Sequence, residues 1–186
     1  MQTNSVISIV GQDRCVVATD MIEAILLFNE QKNPEAFQVY TEAMDNNFFC
    51  PVISDTDKIK SLLILSNGQV YPSIFRVPTL SKRLEELGRD NITVTGCDKC
   101  IIPVDSIESI LQLDDSESDE ADKILLSSIE SGVYHPLIKD KDKIKSLIIL
   151  SNGQVYPSTF NVSTLSKRVN YHTPKGMWLP SNSSPD

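Results

Sequence analysis

Apolar and polar positions alternate on two periods along this chain. Short β-branched runs at residues 7–10 and 15–18, parted by Gly11, Gln12 and Asp13, read as two strands and a turn. After Asp20, with Glu23 three positions on, Ile22, Ile25 and Leu26 stand at helical spacing and predict a capped helix. A second helix is expected from Pro34, a residue suited to a first helical turn, to about Met44, with Phe37, Tyr40 and Met44 on one face. Residues 48–53 then read as a strand. Residues 61–66 and 69–71 flank Asn67-Gly68 and predict a hairpin with a type I′ turn, since both turn positions favour φ > 0. Leu80, Leu84 and Leu87 line a further helix that Gly88 ends.

The same pattern occurs twice. The 27 residues from Asp57, DKIKSLLILSNGQVYPSIFRVPTLSKR, return from Asp142 with four differences, at an offset of 85. Without a gap, residues 7–84 and 92–169 share 37 of 78 positions. A period this long describes a small domain, not a solenoid repeat. The expected architecture is α+β: two tandem homologous units at residues 1–90 and 91–170, each a mostly antiparallel sheet with helices packed on it, and a C-terminal tail at 171–186. A second arrangement fits equally. Residues 92–111 could complete the first unit, leaving residues 7–26 to pair with the second unit's sheet.

The chain has 186 residues, 40% apolar and 23% charged, a globular composition. Asp and Glu number 25 against 17 Lys and Arg, a formal charge of −8. That balance gives no footprint for nucleic acid. The acids are uneven: the first copy has nine against seven basic residues, and the second has twelve against eight, six of them between Asp114 and Asp122. That acidic stretch reads as a solvated loop leading into a helix, or as a docking strip for a basic partner. No apolar run is long enough to span a bilayer, and the first residues lack a signal-peptide pattern, so a cytoplasmic protein with no membrane partner is expected. In the tail, Met177-Trp178-Leu179 is expected to pack back on a domain.

Candidate chemistry is sparse. Cys97 and Cys100 form a C-x-x-C, a weak metal or redox candidate, with Cys15, Cys50 or His135 as further ligands. The competing reading is free thiols in a reducing compartment. His135 and His172 are not repeat partners, and no nucleophile motif marks a partner for either. No phosphate loop, dinucleotide fingerprint, nucleophile elbow or zinc-protease string occurs, so no cofactor is expected, and the case for an enzyme is weakened without being excluded.

The nearly invariant segment retains surface-type residues as well as core ones. Either its face is used in both copies, or gene conversion has recently homogenised it. If used, Lys58, Lys60, Lys82 and Arg83 with Lys143, Lys145, Lys167 and Arg168 would meet an acidic partner. Tyr71, Phe75, Tyr156 and Phe160 would be aromatic anchors.

A proline strand (residues 48–53 and 133–138), an Asn-Gly hairpin and a Val-Tyr-Pro-Ser-x-Phe ending before a short helix resemble the N-terminal domain of SseB-like proteins. The resemblance covers residues 34–87 and 119–169. It departs from that family's Phe-Thr ending at Ile74-Phe75-Arg76 and Thr159-Phe160-Asn161. It implies a bacterial or phage cytosolic binding module with no established catalytic site to carry over. The resulting expectation is a non-enzymatic protein-binding module, an immunity or inhibitor-type factor. The alternative is a small-ligand-binding or enzymatic protein with a site between the repeats.

Overall fold

The computed structural model describes residues 6–10, 15–95, 99–113 and 119–172. The acidic residues 114–118, Cys97 and residues 173–186, including the Met177-Trp178-Leu179 cluster, lie outside them. Among the described residues the fold is α+β, with ten strands in three antiparallel sheets and four helices. The chain divides into two compact units, Met1–Pro103 and Val104–Asp186.

In the first unit β1 (Val6–Ser8) and β2 (Val16–Ala18) form a separate hairpin. A five-stranded sheet runs in the order β5-β4-β3-β7-β6, from β3 (Ile22–Leu27), β4 (Ser61–Leu65), β5 (Val70–Ser73), β6 (Asn91–Thr95) and β7 (Cys100–Pro103). Helices α1 (Pro34–Asp45) and α2 (Val77–Glu86) complete it. The β6–β7 hairpin pairs with β3, so this unit extends to Pro103 rather than stopping near residue 90.

In the second unit β8 (Ile107–Gln112), β9 (Ser146–Leu150) and β10 (Val155–Ser158) make a three-stranded sheet, with helices α3 (Asp119–Ser131) and α4 (Val162–His172). Its core gathers Leu125, Ile144, Leu147 and Val155, with Tyr134 packed against them.

Three local expectations are corrected. Residues 22–27 are the central strand of the larger sheet, not a helix, and follow a single 3₁₀ turn at Thr19–Met21. A strand covered on both faces is apolar at nearly every position, so Ile22, Ile25 and Leu26 also satisfy a helical spacing by default. Residues 48–53 form no strand; only Phe49 makes an isolated bridge, to Val70. The Asn67-Gly68 turn is not type I′. Gly68 alone takes the left-handed conformation (φ 93°), and its N–H donates to the Leu65 carbonyl at 2.9 Å. That is the three-residue loop of a type I turn closed by a glycine bulge. Asn67 Oδ1 accepts from the Gln69 N–H at 3.0 Å instead.

Candidate functional site

The first unit has an open cleft of about 800 Å³ at the C-terminal end of β3. Strand pairing builds it. As β3 ends, the Leu27 N–H donates to the Lys99 carbonyl (2.8 Å) and the Phe28 N–H to the Lys60 carbonyl (3.1 Å). These bonds hold Lys99, just before β7, and Lys60, just before β4, on either side of the same strand end. Buried Asn33 fixes the returning loop: its Nδ2 donates to the Leu27 and Lys99 carbonyls at 2.8 and 3.2 Å. Asn29 Oδ1 accepts from the Gln31 and Lys32 amides, turning the loop so that Lys32 joins the lining. Asp55 accepts from the Asp57 N–H and shapes the opposite wall.

The floor is apolar, from Leu27, Phe28, Phe37, Ile59, Val77 and Pro78. Phe28 stacks on Phe37 at 4.2 Å, and a ring series continues through Tyr40 to Phe49. Among the described residues, four cations stand around this floor, Lys32, Lys60, Arg76 and Lys99, against two acids, Glu30 and Asp57. Arg76 is also the N-cap residue of α2, where no side chain makes a capping bond. The positive end of that helix dipole adds to the field over the cleft.

The second unit repeats the cleft at smaller size, about 640 Å³. Gln112, Leu113, Asp122, Lys141, Asp142, Ile144 and Lys145 line it. They are the repeat equivalents of Leu27, Phe28, Phe37, Thr56, Asp57, Ile59 and Lys60. The Leu113 N–H donates to the Lys145 carbonyl (3.0 Å), as Phe28 does to Lys60. Charge separates the two among the described residues: Lys141 and Lys145 face Asp122 and Asp142, an even balance. The helix start differs as well. Asn161 Oδ1 accepts from the Thr164 N–H at 3.0 Å, and Gln112 Oε1 from the Val162 N–H at 3.4 Å, so the α4 terminus is capped.

The residues that sequence reasoning singled out are dispersed. Lys60 and Lys145 line the clefts. Lys58, Lys82, Lys143 and Lys167 are exposed. Arg83 covers Phe75 at 4.1 Å, and Arg168 covers Phe160 at the same distance, so these aromatics are capped by their own helices' arginines. Arg83 also donates to the Ser8 carbonyl at 3.2 Å. Tyr71 is half-buried, but Tyr156 is fully buried and stacks on His135 at 4.2 Å, so it presents no surface to a partner. Lys32, Arg76 and Lys99 were not singled out, because the copies differ there: their equivalents are Glu117, Asn161 and Arg14.

The thiols sit elsewhere. Cys50 Sγ donates to Gln69 Oε1 at 3.0 Å. A hydrogen bond with Cys50 raises the Tyr71 phenol above its ordinary range, helped by burial and by the nearby Cys50 and Cys15 thiols. Burial, then Cys50, raises Cys15. Cys100 is buried in β7, and burial, with Glu23 beside it, pushes its thiol far up. A thiol held protonated is a poor nucleophile and metal ligand. Among the described residues no group of three or more His, Cys, Asp or Glu could hold a metal ion. Nor is any described helix long and apolar enough to cross a membrane.

No family model, curated protein or solved structure matches this chain.

Proposed function

We propose that the chain is a non-enzymatic protein-binding module whose first cleft takes an acidic segment of a partner. The observation that carries this reading is the convergence of Lys32, Lys60, Arg76 and Lys99, from four separate segments, over an apolar floor. The floor suits one apolar or aromatic side chain of the partner, and the rim suits flanking carboxylates. Such an arrangement supplies both halves of a peptide site, an anchor pocket and a charged margin. The second cleft keeps the shape without the surplus charge, so it belongs to a different or weaker ligand. The resemblance to SseB-like N-terminal domains is part of the same proposal, as a bacterial or phage binding module.

The test is fluorescence anisotropy with a labelled Glu-rich peptide carrying one Trp, against a Lys-rich peptide of equal length. Saturable binding of the acidic peptide alone is expected, weakening as salt rises. Each exposed charge contact contributes roughly 0.5–1 kcal/mol, so the Lys60→Glu, Arg76→Glu double variant should bind about tenfold more weakly. Equal affinity for both peptides, or no loss in the double variant, would count against the reading.

A further inference from the structure

Two segments far apart in sequence meet along the outer edge of β5. At the start of the strand, the Val70 N–H donates to the Phe48 carbonyl and the Cys50 N–H donates to the Val70 carbonyl, both at 2.9 Å. At its end, the Ile9 carbonyl accepts from the Ile74 N–H at 3.2 Å and from the Ser73 hydroxyl at 2.8 Å. The Ile9 N–H in turn donates to the Cys15 carbonyl at 3.0 Å. Cys50 and the Ile9/Cys15 pair thus approach one short strand from its two ends.

Tyr71 stands between them. By strand alternation it lies on the same face of β5 as Ser73, the residue that holds Ile9. The Cys50 thiol donates to Gln69 Oε1 at 3.0 Å and shares a hydrogen bond with the Tyr71 phenol. The Cys15 thiol feels Cys50 and bears on the same phenol. Both thiols are half-buried, whereas Cys100 is buried in β7. The second copy builds this place differently. Cys50, Gln69 and Tyr71 correspond to His135, Gln154 and Tyr156, and His135 bonds to Gln154 and stacks on Tyr156. Cys15 corresponds to Cys100, which lies in the five-stranded sheet. Among the described residues, the first copy alone gathers two thiols around its tyrosine.

We propose that Cys15 and Cys50 are a reversible redox pair, which a hydroperoxide converts to a disulfide that locks the β1–β2 hairpin onto the outer edge of β5. The Cys50 sulfur attacks a peroxide oxygen; the O–O bond breaks, giving a sulfenic acid and one water. The Cys15 sulfur then attacks the Cys50 sulfur; the S–O bond breaks, and the hydroxyl leaves as a second water with the Cys15 proton. Two thiols lose two electrons, and the peroxide gains them. Cys15 takes the second step because burial and Cys50 keep its thiol protonated, which makes it the poorer nucleophile. Cys15 lies just before β2, and Cys50 just after the Phe49 bridge. Neither sits inside a strand, so the backbone has room to take up disulfide geometry. A dithiol reductant reverses the bond by exchange.

The test uses Cys97→Ser, which removes the fourth thiol and leaves Cys15, Cys50 and Cys100. The folded chain is treated with hydrogen peroxide, blocked with N-ethylmaleimide and digested with trypsin without reduction. Lys32 separates the two cysteines, so a link joins two peptides. The expected product is an intrachain species two hydrogens lighter, formed at a rate independent of chain concentration and lost with dithiothreitol. Nearly all linked peptides should join Cys15 to Cys50. In urea the closed loops span 35, 50 and 85 residues, and chain closure alone lowers the Cys15–Cys50 share to about half. Formation should quicken several-fold as pH climbs from about 7 to 9, as Cys15 loses its proton. Amide exchange at β1 and β2 should slow in the oxidised chain. Cys15→Ala should leave a Cys50 sulfenic acid that dimedone traps, with no link. A Cys15–Cys50 share no higher in the folded chain than in urea would overturn the proposal. So would Cys50 passing to sulfinic acid while Cys15 stays free, or hairpin exchange unchanged by the bond.

Discussion

Ser73→Ala probes how the β1–β2 hairpin is fastened to the rest of the first unit. Ser73 is fully buried. Its hydroxyl donates to the Ile9 carbonyl at 2.8 Å and accepts from the Phe75 N–H at 3.1 Å. Alanine keeps the strand position and removes both bonds. The Ile9 carbonyl still receives the Ile74 N–H at 3.2 Å, so it loses one partner of two. That loss costs about 1 kcal/mol. The Phe75 amide loses its acceptor in a half-buried site, which costs about 1 kcal/mol more, the lower end of the desolvation range. Together the loss is about 2 kcal/mol, or roughly 4–8 °C in Tm for a chain of this size. The assay is equilibrium urea unfolding followed by circular dichroism, with amide hydrogen exchange read over residues 7–9. The unfolding midpoint should fall, and β1 exchange should accelerate. Exposed Ser66→Ala serves as the control and should stay within about 0.5 kcal/mol. An unchanged midpoint with unchanged β1 exchange would refute the reasoning.

Gly153→Ala should destabilise by about 1 kcal/mol although no atom lies within 4 Å of the added carbon, because φ is 92° there; thermal unfolding measures it. Iodoacetamide labelling followed by mass spectrometry should modify Cys50 and Cys15 well before Cys100, which is buried. The Cys15 rate should still be climbing as pH passes 9, because its thiol is raised; equal labelling of Cys100 would contradict the packing of β7. Burial pushes the Tyr134 phenol up to about 12. Unfolding releases a phenol that ionises near 10, so the unfolded state loses its proton first and stability falls as pH climbs from about 10 to 12. Tyr134→Phe should flatten that decline in alkaline urea titrations.

Reading the fold from sequence worked where one face of an element is wet. The amphipathic helices α1 and α2 have distinct apolar and polar sides, and their spacing identified them; the β4–β5 hairpin, whose first strand is buried at every position, was marked instead by its Asn67-Gly68 turn. It failed at β3, whose burial on both faces erases alternation. It failed again at residues 48–53, where a β-rich composition surrounds Pro51 and only Phe49 finds a bridge. The site was partly legible for a related reason. Comparing the two copies brought out Lys60 and Lys145, which are retained, but hid Lys32, Arg76 and Lys99, where the copies differ. The same comparison placed Tyr156 among the anchors because it is retained, although it is retained in the core. Retention marks packing as readily as recognition. The charge that separates the two clefts comes from the positions that changed.

That difference in charge makes the central claim measurable within one molecule. Anisotropy titration of the Glu-rich, Trp-bearing peptide should be run on Lys60→Glu in the first cleft and Lys145→Glu in the second, at low and physiological salt. Binding through the first cleft predicts that Lys60→Glu weakens affinity several-fold while Lys145→Glu leaves it within about twofold, the loss shrinking as salt screens the charges. Equal responses to the two substitutions, or none to either, would contradict the assignment of the first cleft as the binding site.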